Sequence, residues 1–194
     1  MQKIAQEEAQ WFATWITSGQ SLPSENYKYN VLIPHPESIV DINKNPCIRA
    51  LTANDIPLPS QQRALIDQNF LRQFSEETPC CLAVYAGYFD SWGKDQGFYE
   101  PEGTWIFGKY LNFVLFETFL KEGLFGATDS RWRDVTFTQL SYLWAKDHTW
   151  LLASAPDTAW TIVRTSSKEL ARQLLDEKAL GAVAIGSKQA AGLE

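Results

Sequence analysis

Leu143-Trp144-Ala145-Lys146-Asp147-His148-Thr149-Trp150-Leu151-Leu152-Ala153-Ser154 opens the stretch, Tyr142 to Ile185, whose reading decides the fold. An aromatic-apolar segment runs into Lys146-Asp147-His148, and a second apolar segment starts at Trp150. Pro156-Asp157-Thr158 then turns the chain into Trp160-Thr161-Ile162-Val163, rich in the β-branched and aromatic residues that suit a pleated, half-buried surface. Ser166 stands three residues before Glu169, the spacing of a capping box, which predicts a helix N-terminus capped by Ser166. Leu170, Leu174 and Leu175 supply that helix with an apolar face, and Ala182-Val183-Ala184-Ile185 reads as a short closing strand. Strand, turn, strand, capped helix and strand follow one another with every local signal in agreement.

Working toward the N-terminus, Phe125 to Arg133 is an irregular, Gly-bearing and charged insert. Trp105-Ile106-Phe107 and Tyr110 to Phe119 are strand candidates, with Gly108-Lys109 as a tight turn between them. Five residues of turn chemistry, Gly87, Gly93, Gly97, Pro101 and Gly103, make 87–103 a long loop or an irregular hairpin. Cys80 to Ala86 is nearly all apolar, as a strand covered on both faces should be. Before Thr78-Pro79 lies a helix capped by Ser60, with Leu65, Ile66, Phe70, Leu71 and Phe74 as its buried side. Asn43 to Pro59 is rich in loop residues, and Tyr27 to Ile33 alternates as a strand broken by Pro34-His35-Pro36. Residues 2–18 read as an amphipathic helix whose stripe holds Ile4, Glu8, Trp11, Phe12, Trp15 and Ile16, with Gly19 as its stop. The fold class is therefore α+β, a mostly antiparallel sheet flanked by an N-terminal, a middle and a C-terminal helix. It is expected as a single domain over 1–194, with 1–26 readable as a helical extension of it.

Composition narrows the function classes. The chain is globular in character, 45% hydrophobic and 21% charged, and its formal net charge is −6. That balance argues against nucleic acid, whose phosphates call for clustered Lys and Arg, and is compatible with a basic protein partner. Cys47, Cys80 and Cys81 make no disulfide framework. Cys80 and Cys81 are adjacent, so on a strand they face opposite ways. Free thiols, an N-terminus lacking the apolar core of a signal peptide, and no apolar run long enough to span a bilayer predict a cytoplasmic protein away from the membrane.

Candidate chemistry is sparse. Asp147-His148 pairs a carboxylate with an imidazole, yet strand neighbours point to opposite faces, and Asp147 is more simply a turn residue. His35, between two prolines, reads as an exposed loop residue. Cys80 and Cys81 sit in an apolar run that predicts inert burial. No ligand spacing for a metal, no nucleophile elbow and no phosphate or dinucleotide loop occurs, so no cofactor is called for. Two charged segments remain. Asp90, Asp95, Glu100 and Glu102 interleave with Trp92, Phe98 and Tyr99. This offers aromatic anchors inside an acidic rim, and Asp90, Trp92, Asp95, Tyr99, Glu100 and Glu102 are the candidate binding residues. Asp129-Ser130-Arg131-Trp132-Arg133-Asp134 could hold an anion, or pair its charges internally.

At its C-terminal end the sequence resembles a family of uncharacterised bacterial proteins of similar length, largely actinobacterial. The matching features are Glu77-Thr78-Pro79, Tyr85-Ala86-Gly87-Tyr88-Phe89, Leu115-Phe116-Glu117, and Leu143-Trp144-x-x-Asp147-x-x-Trp150. That family usually has Trp-Pro-x-Asp-Arg-x-Trp where this chain has Trp144-Ala145-Lys146-Asp147-His148-Thr149-Trp150, and glycines where it has Arg164-Thr165. The resemblance covers roughly the last 120 residues and implies a common fold without an activity. The function expected is a non-enzymatic protein-binding domain of the immunity or antagonist type. The alternative is a small-molecule binder or hydrolase with a pocket near Arg131, Trp132, Trp144 and His148.

Overall fold

The computed structural model describes residues 2–18, 27–35, 59–88, 104–107, 111–121, 140–154 and 160–186. In chain order these form β1 (Gln2–Lys3), α1 (Gln6–Ser18), β2 (Tyr29–Pro34), α2 (Pro59–Gln73), β3 (Pro79–Tyr88) and β4 (Thr104–Phe107). They continue with β5 (Leu111–Phe119), β6 (Leu140–Ala145), β7 (Trp150–Ala153), β8 (Trp160–Thr165), α3 (Lys168–Asp176), a 3₁₀ turn (Lys178–Leu180) and β9 (Val183–Ala184). All nine strands join one sheet in the order β1-β5-β3-β6-β7-β8-β2-β9, and β4 pairs with β5 beside β1. Every pairing is antiparallel. The protein is thus an α+β fold with helices on both faces of an antiparallel sheet.

Alternation along the strands builds two cores. One face carries Val31, Ile33, Cys80, Leu82, Leu143, Trp150, Leu152 and Val163, and receives Ile66 and Phe70 of α2 and Leu170, Ala171 and Leu174 of α3. The other face carries Cys81, Ala83, Phe113, Leu115, Tyr142, Trp144, Leu151, Ala153 and Ile162, and receives Ile4, Ala9, Phe12 and Trp15 from α1 and the residues before it. Both faces of the central β3 are covered over Cys80–Ala83, which is accordingly apolar at every position, and Cys80 and Cys81 drop into different cores as strand geometry requires. Both thiols are buried and unbridged. None of the described helices is long and apolar enough to cross a membrane.

Several boundaries differ from the sequence reading. Gln2 and Lys3 belong to strand β1 on Glu117 and Phe116, so the first helix starts only at Gln6. Pro59 is already helical, which removes Ser60 from the cap position of α2. Of its expected buried side, Ile66 and Phe70 are buried and Leu65, Leu71 and Phe74 are partly so. The hairpin of β7 and β8 forms as read, with Leu152 opposite Val163, but only Trp150 is fully buried and Trp160 is half-buried. The helix after it is capped by Ser167, whose hydroxyl accepts from Leu170 N–H at 3.1 Å. Ser166 instead donates to Thr149 O at 3.2 Å, because the end of the hairpin holds it and the chain enters the helix one residue later. Leu175 is 37% exposed and its place on the buried stripe falls to Ala171, one turn from Leu174 on the inner side. Ser167→Ala should therefore cost about 0.5–2 kcal/mol in a denaturant melt. Ser166→Ala should cost less, and the reverse order would restore Ser166 as the cap.

Candidate functional site

The β6–β7 connection is a tight turn closed by His148 N–H to Ala145 O at 2.8 Å. His148 has φ 55°, the left-handed region, where hairpin connections ordinarily place Gly or Asn. A non-glycine residue there costs about 1–2 kcal/mol. Asp147 does not reach its neighbour's ring. Its Oδ1 accepts from Thr149 N–H at 3.1 Å and Thr149 Oγ1–H at 2.7 Å, a turn residue's role.

The partner of His148 comes from the far end of the chain. Glu8 of α1 accepts from His148 Nε2 at 3.0 Å through Oε2, and lies 3.2 Å from it through Oε1. Trp144 Nε1–H donates to the same Oε2 at 2.9 Å. The Trp11 ring lies beside the imidazole, tilted by 57° with centroids 4.4 Å apart, and touches the Trp144 ring at 5.5 Å. Burial alone would push the Glu8 carboxyl up, but the bonds from His148 and Trp144 outweigh it and hold the group below its usual range. Glu8 is therefore an acceptor only, and the proton of this bond resides on Nε2. In the neutral ring Nδ1 then keeps its lone pair, and Nδ1 has no hydrogen-bond partner among the described residues.

The placement of Glu8 is unusual for its own helix. Ala5 is the N-cap of α1, since its carbonyl accepts from Ala9 N–H at 3.0 Å, and Glu8 is the third residue inside. A glutamate at that position ordinarily reaches back to the N-cap amide. Here that amide donates instead to Glu117 Oε1 of β5 at 2.8 Å, and Lys146 Nζ donates to Glu117 Oε2 at 2.9 Å. A sheet carboxylate thus caps the helix and leaves Glu8 to His148 and Trp144. Cross-strand register explains why these groups meet: Glu117 lies opposite Cys81, and Cys81 opposite Trp144, on the face that α1 covers. Burial first, then the Glu8 and Glu117 charges, push the Cys81 thiol far above its ordinary range, so it is no nucleophile.

Of the residues singled out from sequence, Trp144 and His148 are brought together on one carboxylate. Asp90, Trp92, Asp95, Tyr99, Glu100 and Glu102, and likewise Arg131 and Trp132, lie outside the described residues. His35 is not an exposed loop residue: it is half-buried, with Nε2 2.9 Å from Thr161 Oγ1, which in turn donates to Ser154 Oγ at 3.2 Å. Glu8 and Glu117 were missed as site residues. Their partners lie up to 140 positions away, and only the apolar stripe of α1, which included Glu8, hinted that this carboxylate would be carried inward. Among the described residues no group of three or more His, Cys, Asp or Glu is placed to hold a metal ion. Compared with protein-family models, with curated proteins and with solved structures, the chain finds no match in any of the three.

Proposed function

We propose that the chain is a binding domain for a basic protein, of the immunity or antagonist type, and that residues 88–102 are its partner-facing segment. The observation that carries this reading is how the acidic and aromatic segment is mounted. In sequence it lies between β3 and β4, and these two strands flank β5 on opposite sides. A register shift between Tyr85 and Tyr88 directly precedes it, and such irregularities often re-aim the chain beside a functional surface. A connecting segment between strands of one sheet is the ordinary place for recognition chemistry. The net charge of −6 adds a long-range attraction for a basic partner.

Replacing Asp95, Glu100 and Glu102 by their amides should slow capture by about an order of magnitude at low salt and flatten its salt dependence, since rim charges act on association. Trp92→Ala should shorten the lifetime of the complex instead. Surface-binding kinetics against basic proteins encoded beside the gene would check both effects. Unchanged association for the triple variant would contradict the reading. A second reading, a small-molecule or hydrolytic site at the Trp144 and His148 end, is favoured by one observation, an imidazole oriented by a carboxylate with no partner for its Nδ1 among the described residues.

A further inference from the structure

We propose that His148 is a general base, oriented by Glu8, for the hydrolysis of small uncharged esters that carry an aromatic or apolar group; the inference rests on the second reading above. Three independent features converge on this ring. The backbone at His148 is held in the left-handed region although the turn would be relieved by Gly or Asn, and such outliers collect where a side chain must be aimed. Glu8 is released from capping its own helix because Glu117 takes that task, so the Glu8 carboxylate is committed to the imidazole and the Trp144 indole. Finally, the Glu8 carboxylate engages Nε2, so the ring is oriented from that side and Nδ1 is the nitrogen left for a substrate, the geometry of an imidazole positioned by a carboxylate. The side chains of His148 and Glu8 are 18% and 16% exposed, sheltered enough to strengthen their bond and not sealed from solvent. The half-buried Trp11 ring beside the imidazole supplies an apolar wall, which selects for an uncharged substrate.

The step balances without any further reactant. Nδ1 takes a proton from water as the water oxygen bonds to the acyl carbon. The bond from that carbon to the alcohol or phenol oxygen then breaks. The imidazolium returns its proton to the leaving oxygen or to solvent, giving one acid and one alcohol or phenol. Glu8 stays ionised throughout and holds Nε2–H, so Glu8 is a positioning residue and His148 the group that meets the reacting water.

The test uses the full chain and p-nitrophenyl acetate. His148→Asn is the chosen variant because Asn accepts the left-handed backbone, and His148→Gly serves as a second that relieves it entirely. Both should fold, with hydrolysis lowered about 100-fold, the range of a lost general base. Glu8→Gln should lower kcat about tenfold with KM unchanged, whereas His35→Asn should leave the rate as it was. Equal rates for the parent chain and both His148 variants would overturn the proposal. Quenching of tryptophan fluorescence by p-nitroacetanilide, an amide analogue, separates the two levels. Quenching lost in His148→Asn, with no His148-dependent hydrolysis, would overturn the base role and keep a ligand site. Neither quenching nor His148-dependent hydrolysis would overturn the site as well.

Discussion

Trp150→Ala is expected to lower stability by about 3–5 kcal/mol, the range for truncating a large buried aromatic. Trp150 is wholly buried at the start of β7, opposite Thr165 of β8, with Phe70 of α2 edge-on at 5.0 Å and Phe74 at 5.8 Å. It is the bulk that joins the C-terminal hairpin to the middle helix, and a cavity there would border strands and helix that have little room to collapse together. Its indole Nε1 is buried with no hydrogen-bond partner among the described residues, so the ring contributes through packing alone. Trp150→Phe should accordingly cost much less than Trp150→Ala. Trp160, half-buried on the opposite face, should show a smaller loss than Trp150 when truncated. Urea melts check all three, and a loss below about 1 kcal/mol for Trp150→Ala would mean that the hairpin and α2 do not share a core.

The reason this hairpin could be read in advance is that its signals are local. Trp150 to Ala153 and Trp160 to Thr165 declare themselves by composition, and the pairing follows from the short connection between them. The same is true of Cys80 and Cys81, where a continuous apolar run implies cover on both faces. Local signals failed where two neighbours compete for one role. Ser166 and Ser167 both suit a cap, and what decides between them is the Thr149 carbonyl from across the hairpin, which no spacing rule contains. Helical period also placed Leu175 inward, yet a helix that meets the sheet along Leu170, Ala171 and Leu174 turns Leu175 toward solvent.

The His148 site was harder for a different reason. Asp147 is its sequence neighbour and the natural suspect, but a turn aims adjacent side chains apart, and the carboxylate that serves His148 arrives with another layer of the fold. Glu8 could be assigned to the inner stripe of α1 by period, but not to a partner, because period fixes a face and says nothing of which strand lies beneath it. The diversion of Glu8 depends in turn on Glu117, a residue on a strand whose place beside Ala5 follows from sheet order alone. Sheet order is a global property. It emerges from which faces need cover, and the row Glu117, Cys81, Trp144 beneath α1 is its product.

The central claim is that α1 is a layer of the fold rather than an appended helix, and that it carries Glu8 onto His148 for that reason. Phe12 tests it most directly. The ring is wholly buried, stacked on Trp144 at 5.3 Å with planes 7° apart, and edge-on to Phe113 and Tyr142 at 5.4 Å each. Three strands, β5 and β6 among them with β3 between, depend on it for cover. Phe12→Ala, measured by equilibrium urea unfolding followed through tryptophan fluorescence and far-UV circular dichroism together, should cost about 3–5 kcal/mol in one transition seen alike by both probes. A cost below about 1 kcal/mol, or a separate early transition confined to the helix signal, would contradict the account and reduce α1 to an extension.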